Sequence, residues 1–458
     1  MARQALDSSL AGGWSASSWL GLSGNESRLT FLCGLFITQL LLSEYGHRMT
    51  DHAGIYIATR HTAHLTRLVP RIHPTTIKRF TMRKVLLLAA AVGCSFGLPV
   101  QAATFAYISS PADGLISQYR LDEQSGALSL VEQTKAGDQV NPMAISPDGK
   151  ALFAALRSKP YQVLSFSIEP ATGHLKPLSQ APLAESLAYL STDRSGRFLF
   201  GASYGADLLS VQPIDAQHRP SDSIETYKTG MHAHSVRTDP SNRFVYAGNL
   251  GVDRVLQYRL EPKDGKLVPI GEGFVAVPDN TGPRHLAFSS DGRFLYVVGE
   301  MSGTVTAFLI NEKTGALKQV SQADGIPARL KLAPGQARDA RNNDLKDDPT
   351  PRIWAADIRL APDGKWLFIS ERTTSSVSVF KVDPAKGNVT FVENYPVEEK
   401  QPRNIAVSPN GRWLLVSGEK SDKVGSYAIG ASGALKRVSE APSGKGALWI
   451  EMLSQPDK

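Results

Sequence analysis

Side chains that can bind anions and transfer protons recur at three fixed positions around six turns that resemble S-P-D-G-[KR]. The positions are counted from the basic residue after each turn, which is Lys150, Arg197, Arg243, Arg293, Lys365 or Arg412. Nine positions earlier the residues are Asn141, Ala188, His234, Arg284, Ala356 and Arg403. Eight positions earlier they are Pro142, Tyr189, Ser235, His285, Asp357 and Asn404. Seven positions later they are Arg157, Tyr204, Leu250, Glu300, Arg372 and Glu419.

These positions are rich in Arg and His and mix both signs of charge. Arginine matches carboxylate and phosphate groups because it donates two parallel hydrogen bonds, and a nearby His or Glu can take a proton from water. Two other interpretations are open. Charged residues at strand ends are commonly just solvated, and Arg–carboxylate pairs could simply hold neighbouring strands together. We expect a small anionic ligand.

Other kinds of catalytic site find little support. Ser235 and His234 do not predict a catalytic triad, because adjacent residues of a strand point to opposite faces. Both cysteines, Cys33 and Cys94, lie in the N-terminal leader, so we expect no thiol nucleophile and no disulfide beyond it. The histidines form no convincing metal set. We therefore expect neither a metal ion nor another cofactor.

The elements that must position these residues are short strands in a repeat. One hairpin recurs with a Gly turn, and it reads "YRLDEQSGALSLV", "FSIEPATGHLKPL", "YRLEPKDGKLVPI", "FLINEKTGALKQV", "FKVDPAKGNVTFV" and "YAIGASGALKRV". A degenerate copy, "VQPIDAQHRPSDSI", makes seven. The S-P-D-G-type hairpins alternate with them, and successive turns lie 47, 46 and 50 residues apart. Four strands in such a period predict an all-β, seven-bladed β-propeller.

The ring is expected to close through both ends of the folded region. "TFAYISS" near residue 104 lacks an inner strand, and the C-terminal "ALWIEM" lacks a local partner. We predict that they pair, because closure removes free sheet edges. An insertion of roughly 25 residues around 322–350 explains the 72-residue spacing between Gly292 and Gly364. It adds Arg329, Arg338 and Arg341 on or close to the rim that carries the polar residues.

The propeller places the polar positions on one rim. The start of one strand and the end of its antiparallel partner are neighbours, so all three positions lie opposite the S-P-D-G turns. We therefore predict a ring of charge around one mouth of the central channel, made of His234, Arg284, His285, Asp357, Arg403, Glu300, Arg372, Glu419 and Arg157.

The N-terminal region predicts export. Residues 82–102, "MRKVLLLAAAVGCSFGLPVQA", have the basic start, apolar run and small-residue end of a signal peptide, and the run is too short to span a bilayer. Residues 1–81 are then interpreted as a non-native or disordered upstream extension, and 103–458 as the propeller. We expect a periplasmic or secreted protein, with a lipoprotein anchored at Cys94 and a cytoplasmic protein as alternatives.

The charge balance argues against nucleic acid. The chain has 50 Lys and Arg against 43 Asp and Glu. Residues 1–102 carry ten of the basic and four of the acidic residues, which leaves a net charge of +1 beyond them. Basic patches for nucleic acid are thus not predicted. We expect a monomer without a membrane span.

Several stretches resemble a known family: "HAHSVRTDP", "TGPRHLAFSSDGRFLYVVGEMSGTV", "RIWAADIRLAPDGKWLFISERTTSSVSVF" and "EKQPRNIAVSPNGRWLL". From about Thr104 to Met452 the chain is similar to the bacterial 6-phosphogluconolactonases of the seven-bladed β-propeller lactonase family, which is related to carboxy-muconate cyclase. The resemblance implies hydrolysis of a sugar-acid lactone, 6-phospho-D-glucono-1,5-lactone above all. It also implies that His234, Arg284, Glu300 and Arg372 form the active site.

A lactonase of this kind needs a base for water and donors for the oxyanion. Glu300 and His234 are both candidate bases, and Arg284 and Arg372 are candidate oxyanion donors. The predicted substrate-binding residues are His285, Asp357, Arg403, Arg157 and Glu419. Two alternatives are a secreted propeller that only binds a small anion, and a muconate-type cycloisomerase.

Overall fold

The fold is a ring of seven four-stranded antiparallel sheets, as the sequence predicts. The computed structural model describes residues 103–338 and 348–455. The predicted upstream extension, the predicted signal peptide with Cys94, and Arg341 of the insertion lie outside the described residues.

The strands follow one another around the ring in chain order. Those of the first four blades are β1 (Ala103–Ser110), β2 (Leu115–Leu121), β3 (Leu128–Lys135), β4 (Val140–Ile145), β5 (Ala151–Leu156), β6 (Gln162–Ile168), β7 (Leu175–Pro182), β8 (Tyr189–Thr192), β9 (Phe198–Ser203), β10 (Leu208–Pro213), β11 (Glu225–Lys228), β12 (Ala233–Thr238), β13 (Phe244–Asn249), β14 (Arg254–Leu260) and β15 (Leu267–Ala276).

The remaining strands complete blades 5 to 7 and return to blade 1. They are β16 (Pro283–Phe288), β17 (Phe294–Gly299), β18 (Thr304–Ile310), β19 (Leu317–Asp324), β20 (Ala355–Leu360), β21 (Trp366–Glu371), β22 (Ser376–Val382), β23 (Val389–Pro396), β24 (Pro402–Val407), β25 (Trp413–Gly418), β26 (Lys423–Ile429), β27 (Leu435–Pro442) and β28 (Trp449–Gln455). Two short 3-10 helices span Leu250–Val252 and Ala328–Leu330. Neither of these helices is long and apolar enough to cross a membrane.

The ring closes as predicted. Strand β28 pairs antiparallel with β1, and Met452 lies opposite Ala106. The last strand of the described chain is therefore the innermost strand of blade 1. The other innermost strands are β4, β8, β12, β16, β20 and β24, and each contacts the next around the channel.

The hydrophobic core lies between the blades. Each sheet has a neighbour on both faces, so the middle strands are apolar on both sides. Between blades 5 and 6, for example, Phe294 and Tyr296 pack in one buried cluster with Leu367 and Phe380. Full burial of one such side chain contributes about 1.5–3 kcal/mol, and the repeated interfaces hold the channel rim in place.

A glycine in the outer hairpin of six blades lies against an aromatic ring of the preceding blade around the ring. Gly315 has φ +74°, and a Cβ placed there would lie 2.3 Å from a ring atom of Phe244. Glycine is needed both for that backbone conformation and for the close approach. The pairs are Gly126 with Trp413, Gly173 with Phe105, Gly265 with Phe198, Gly315 with Phe244, Gly387 with Phe294, and Gly433 with Trp366.

Candidate active site

The polar residues predicted from the repeat collect at one end of the inner strands. His234 lies on β12, Arg284 and His285 on β16, Asp357 on β20 and Arg403 on β24. The other four follow directly after the second strands of their blades, and they are Arg157, Glu300, Arg372 and Glu419. The predicted common rim is thus observed.

Register irregularities in the inner strands explain why neighbouring residues share this rim. The pairing of β16 with β17 shifts between Pro283 and Leu286. Arg284 and His285 lie inside the shift, and both line one cavity. A bulge suspends the alternation of faces along a strand and can redirect a side chain. Inner strands β4, β12, β20 and β24 carry a comparable shift at the same end.

The cavity at this mouth has a volume of about 870 Å³. Eight of the nine predicted residues line it, and Asp357 does not. The basic side chains of the wall outnumber the acidic ones: Arg157, Lys228, Arg284, Arg338, Arg372 and Arg403 stand against Glu185, Glu300 and Glu419. An excess of positive charge in a concave site favours an anionic ligand.

The centre of the wall is a buried cluster of two arginines and one glutamate. Oε2 of Glu300 accepts a hydrogen bond from Nε of Arg284 at 2.6 Å and lies 3.0 Å from Nη2 of Arg372. Its other oxygen accepts one from Nε1 of Trp354 at 2.9 Å. Burial by itself would raise the pKa of Glu300, but Arg372 and Arg284 lower it to about 2. Glu300 is therefore a very weak proton acceptor, suited to holding the two guanidinium groups.

Both arginines keep one terminal nitrogen for a ligand. Nη1 of Arg284 lies 2.6 Å from the carbonyl oxygen of Ala356, and Nε and Nη2 of Arg372 bond to the carbonyls of Trp354 and Ala355. Among the residues that the structure describes, Nη2 of Arg284 and Nη1 of Arg372 have no hydrogen-bond partner. These nitrogens belong to side chains on the cavity wall. The arrangement offers fixed donors to an oxygen that gains negative charge.

His285 connects Arg284 to Asp357. Its Nδ1 lies 2.7 Å from Oδ1 of Asp357, and its Nε2 lies 3.1 Å from Nη1 of Arg284. Since the carboxylate only accepts and the guanidinium only donates, we assign the proton to Nδ1. Burial and the charge of Arg284 lower the pKa of His285 to about 3, so the ring is neutral.

Asp357, expected to bind substrate, instead lies behind His285. Its Oδ2 accepts hydrogen bonds from Nδ2 of Asn404 at 2.8 Å, from the backbone N–H of Ile405 and from Nε of Arg359 at 3.0 Å. Burial would raise the pKa of Asp357, but Arg359 and His285 keep it well below the usual range. Asp357 is thus a buried anion that holds His285 by a hydrogen bond.

His234 is a buried, neutral imidazole on the cavity wall. It is 4% exposed, and its pKa lies well below the usual value because of burial and the positive charge of Arg284. Its Nδ1 is buried and finds no hydrogen-bond partner in the described part of the chain. Ser235 does not act with it, because the Ser235 hydroxyl donates to the backbone oxygen of Arg284.

A second group of charged residues lies farther out on the wall. Nη1 of Arg403 is 3.4 Å from Oε2 of Glu419, and both side chains are partly exposed. Nε of Arg157 donates to the hydroxyl of Ser186 at 3.2 Å. Burial and the repulsion from Arg403 lower the pKa of Arg157 to about 10, so it remains charged at neutral pH. Two loosely paired guanidinium groups suit the anionic end of a ligand.

The described part of the insertion contributes one residue, Arg338, to the cavity. The guanidinium carbons of Arg338 and Arg372 lie 3.5 Å and 3.7 Å from the ring centroid of Trp354. Two groups this close to the centroid cannot share a face, so the indole lies between them, an arrangement that cation–π attraction favours. Arg329, expected near the same rim, instead pairs with Glu393 at 2.6 Å and does not line the cavity.

Sequence reasoning missed several residues of the wall. Trp354 directly precedes the "AADI" segment, but only its bond to Glu300 shows its role. Tyr204 occupies one of the third set of repeat positions, but the repeat indicates no function for it. Its hydroxyl donates a hydrogen bond to the carbonyl oxygen of Arg338 at 2.7 Å. Lys228 and Glu185 lie outside the three positions, so the repeat gives no signal for them.

Comparison with known proteins identifies the family. The family described as "Lactonase, 7-bladed beta-propeller" matches residues 105–452. The chain belongs to this lactonase family. It is 34% identical over 350 residues to a 6-phosphogluconolactonase of Serratia proteamaculans, covering 76% of this chain and 98% of that protein. It is 32% identical over 345 residues to one from Erwinia tasmaniensis, covering 75% and 97%.

Solved structures agree with the lactonase assignment. The periplasmic gluconolactonase of Pseudomonas aeruginosa is 28% identical, with a TM-score of 0.67, and the match covers 78% of this chain and all of that one. A Bacteroides fragilis structure at 22% identity and a TM-score of 0.67 supports the propeller fold alone. The described residues contain no group of three His, Cys, Asp or Glu side chains placed to hold a metal ion.

Proposed function

We propose that this lactonase hydrolyses a six-membered sugar-acid lactone, with 6-phospho-D-glucono-1,5-lactone as the best candidate. The observation that carries the proposal is the wall on which Glu300 fixes Arg284 and Arg372 beside the neutral His234. This wall offers a proton acceptor and oxyanion donors in one cavity. The relatives named 6-phosphogluconolactonase support the substrate class.

His234 is the proposed general base. It takes a proton from a water molecule, and the water oxygen forms a bond to the lactone carbonyl carbon. The carbonyl oxygen gains negative charge and is stabilised by Nη2 of Arg284 and Nη1 of Arg372. The ring C–O bond then breaks, and the proton on His234 passes to the departing oxygen. The product is the open-chain hydroxy acid, and the base is restored.

Glu300 is a positioning residue in this scheme. Its two oxygens are occupied by Arg284, Arg372 and Trp354. Of the two candidate bases, His234 is therefore favoured. The carboxylate keeps the two like-charged guanidinium groups together, and buried charges of one sign need such a partner.

Arg157, Arg403 and Arg338 are the proposed contacts to the phosphate of the substrate. They lie on the cavity wall, and the one acidic partner within ion-pair distance of Arg403 is partly exposed. The phosphate is a dianion at neutral pH, and arginine binds its oxygens in pairs. The same groups would gain less from a lactone without phosphate.

We also propose export through residues 82–102 and action as a monomer in the periplasm. A relative of known structure is named a periplasmic gluconolactonase. N-terminal sequencing of the protein purified from the native cell tests the cleavage before Ala103. An unprocessed N-terminus in the cytoplasm would contradict export, and gel filtration tests the monomer.

The reaction is tested by following acid release from 6-phosphogluconolactone and from glucono-1,5-lactone at constant pH, against the spontaneous rate. We expect acceleration of both, with the larger kcat/KM for the phosphorylated lactone. Rates equal to the spontaneous ones would contradict the proposal. Gluconate binding by calorimetry without turnover would then favour the propeller that only binds an anion.

A further inference from the structure

A second cavity, of about 480 Å³, lies at the opposite end of the inner strands. Its wall contains Phe288, Leu360 and Val407, which are the last residues of β16, β20 and β24. Arg284 and Arg403, near the start of two of these strands, line the active-site cavity. The second cavity is thus the other mouth of the channel.

Aromatic rings in edge-to-face contact lie between the two mouths. The ring of Tyr189 lies 5.0 Å from that of His285 and 5.2 Å from that of Trp449. His285 and Trp449 line the active-site cavity, whereas Tyr189 lines a small recess beside the second cavity. A ligand at the second mouth is therefore outside the site where lactone hydrolysis is proposed.

Three arginines and one glutamate line both this cavity and the recess, and they are Arg194, Arg237, Arg359 and Glu451. Arg359 is paired with Asp357 at 3.0 Å. Within the described residues, Arg194 and Arg237 have no carboxylate within ion-pair distance. Two guanidinium groups thus share a concave surface on which neither is in direct contact with a described carboxylate.

Glu451 lies on the same wall, but within the described residues it is not in ion-pair contact with Arg194 or Arg237. Its Oε1 accepts a hydrogen bond from Nε1 of Trp449 at 2.7 Å, and burial raises its pKa. Arg237 is itself held in place, since its Nη1 donates to the carbonyl of Leu286 at 3.0 Å and its guanidinium lies 5.8 Å from the ring centroid of Phe288. The guanidinium group of Arg237 is therefore fixed at this mouth, whereas Arg194 is exposed.

The rest of the wall is largely apolar. Phe288, Ile358, Leu360, Ile450 and Met452 all contribute to it. A bare inorganic ion would leave this surface without contacts. Binding sites commonly combine such apolar walls with a few polar groups that fix orientation.

We propose that the second mouth binds a small phosphate monoester with an apolar body. Two guanidinium groups without carboxylate partners match the two negative charges of a phosphate monoester, and each can bind its oxygens in pairs. The apolar wall takes up the organic part. The site is separate from the active-site cavity and carries a different ligand.

Phenyl phosphate is the probe, measured by titration calorimetry with the mature protein. The variant Arg194→Ala/Arg237→Ala should lose one binding event or weaken it by at least about tenfold, as expected for lost charge-assisted hydrogen bonds. Its lactonase kinetics should match those of the unchanged protein. The matched control is Arg243→Ala/Arg412→Ala, which removes two exposed arginines from turns on the same rim and should leave binding unchanged.

Two further measurements could refute the proposed site at the second mouth. An isotherm of the double variant that matches the unchanged protein overturns the site. If the double variant does not fold, the single change Arg194→Ala at an exposed position takes its place, and unaltered binding overturns the site in the same way. Inorganic phosphate should bind there more weakly than phenyl phosphate, and equal affinity would contradict the role of the apolar wall.

Discussion

Nε of Arg284 lies 2.6 Å from Oε2 of Glu300, although the two residues are separated by a whole hairpin. The pair closes the end of the β16–β17 hairpin. Nη2 of Arg372, which belongs to the next blade, lies 3.0 Å from the same oxygen. A single carboxylate therefore ties two blades together at the place where two guanidinium groups face the cavity, and it makes the rim rigid where catalysis needs fixed donors.

Replacing the carboxylate tests this role. We expect Glu300→Gln to lower the free energy of unfolding by about 3 kcal/mol, because two buried arginines lose their counter-charge. Lactone hydrolysis should also fall, whereas its dependence on pH should keep its shape. Urea unfolding and initial rates measure the two effects, with Glu312→Gln, an exposed position, as the control. Loss of the acidic limb of the pH–rate profile would instead make Glu300 the base.

The base itself is tested at His234. We expect His234→Asn to lower kcat by about a hundredfold or more, in the range of general base catalysis, with little change in KM. Initial rates across pH measure this, and the variant should lose the limb that reports the base. His174→Asn, on an outer hairpin of blade 2, is the control. A variant with normal kcat would contradict the assignment.

Asp357 should affect catalysis although it does not line the cavity, because it is hydrogen-bonded to His285, which in turn contacts Arg284. In Asp357→Asn, the amide no longer fixes the proton of His285 on Nδ1, and Arg284 loses a defined acceptor. We expect kcat to fall by about tenfold, with a smaller change in KM. Nitrogen NMR shifts of His285 should report a changed tautomer. An unchanged tautomer together with a lowered kcat would refute the positioning role.

Substrate preference should depend on the outer arginines. We expect Arg403→Ala to raise KM for 6-phosphogluconolactone by about tenfold, since a charge-assisted hydrogen bond is lost, and to leave KM for glucono-1,5-lactone nearly unchanged. Arg329→Ala, whose partner is Glu393 outside the cavity, is the matched control. Equal effects on both lactones would mean that Arg403 does not contact the phosphate.

The free energy of unfolding should fall at acidic pH because two buried histidines resist protonation in the folded protein. The pKa of His285 is about 3 in the folded protein, and that of His234 is also well below its usual value of 6.5. Below pH 6.5 the unfolded chain therefore binds more protons, and each histidine lowers the free energy of unfolding by up to about 1.4 kcal/mol per pH unit. Glu300, with a pKa of about 2, adds to the loss below about pH 4.5.

Urea unfolding at a series of pH values measures this slope. Above pH 7 the free energy of unfolding should be nearly constant with respect to these groups. The variant His234→Asn should show a shallower decline between pH 6.5 and 4.5 than the unchanged protein. A slope identical in both proteins would mean that His234 is protonated in the folded state.

The repeat in the sequence was enough to predict the fold and most of the candidate site. Its period predicted seven blades and their closure, and the three aligned positions predicted the common rim of His234, Arg284 and Glu300. The repeat could not show that a bulge turns both Arg284 and His285 toward the channel, since alternation along a strand predicts the opposite.

The sequence also did not reveal which of the site residues line the cavity and which lie behind them. Asp357 and His285 stand at the same position of neighbouring repeats, yet one lies behind the other, because inner strands of adjacent blades meet at an angle around the channel. Trp354 and Arg338 come from the insertion and its edge, which follow no repeat. Tertiary contacts, rather than local pattern, decide their places.

The pairing of β28 with β1 also sets an order of events during protein synthesis. Trp449 lines the active-site cavity, and it belongs to β28, which is translated after the other described strands but completes the first blade. A nascent chain that has made six blades still lacks part of the cavity wall. The protein therefore becomes competent only after β28 has left the ribosome, and a premature stop shortly before Trp449 would leave both an open ring and an incomplete site.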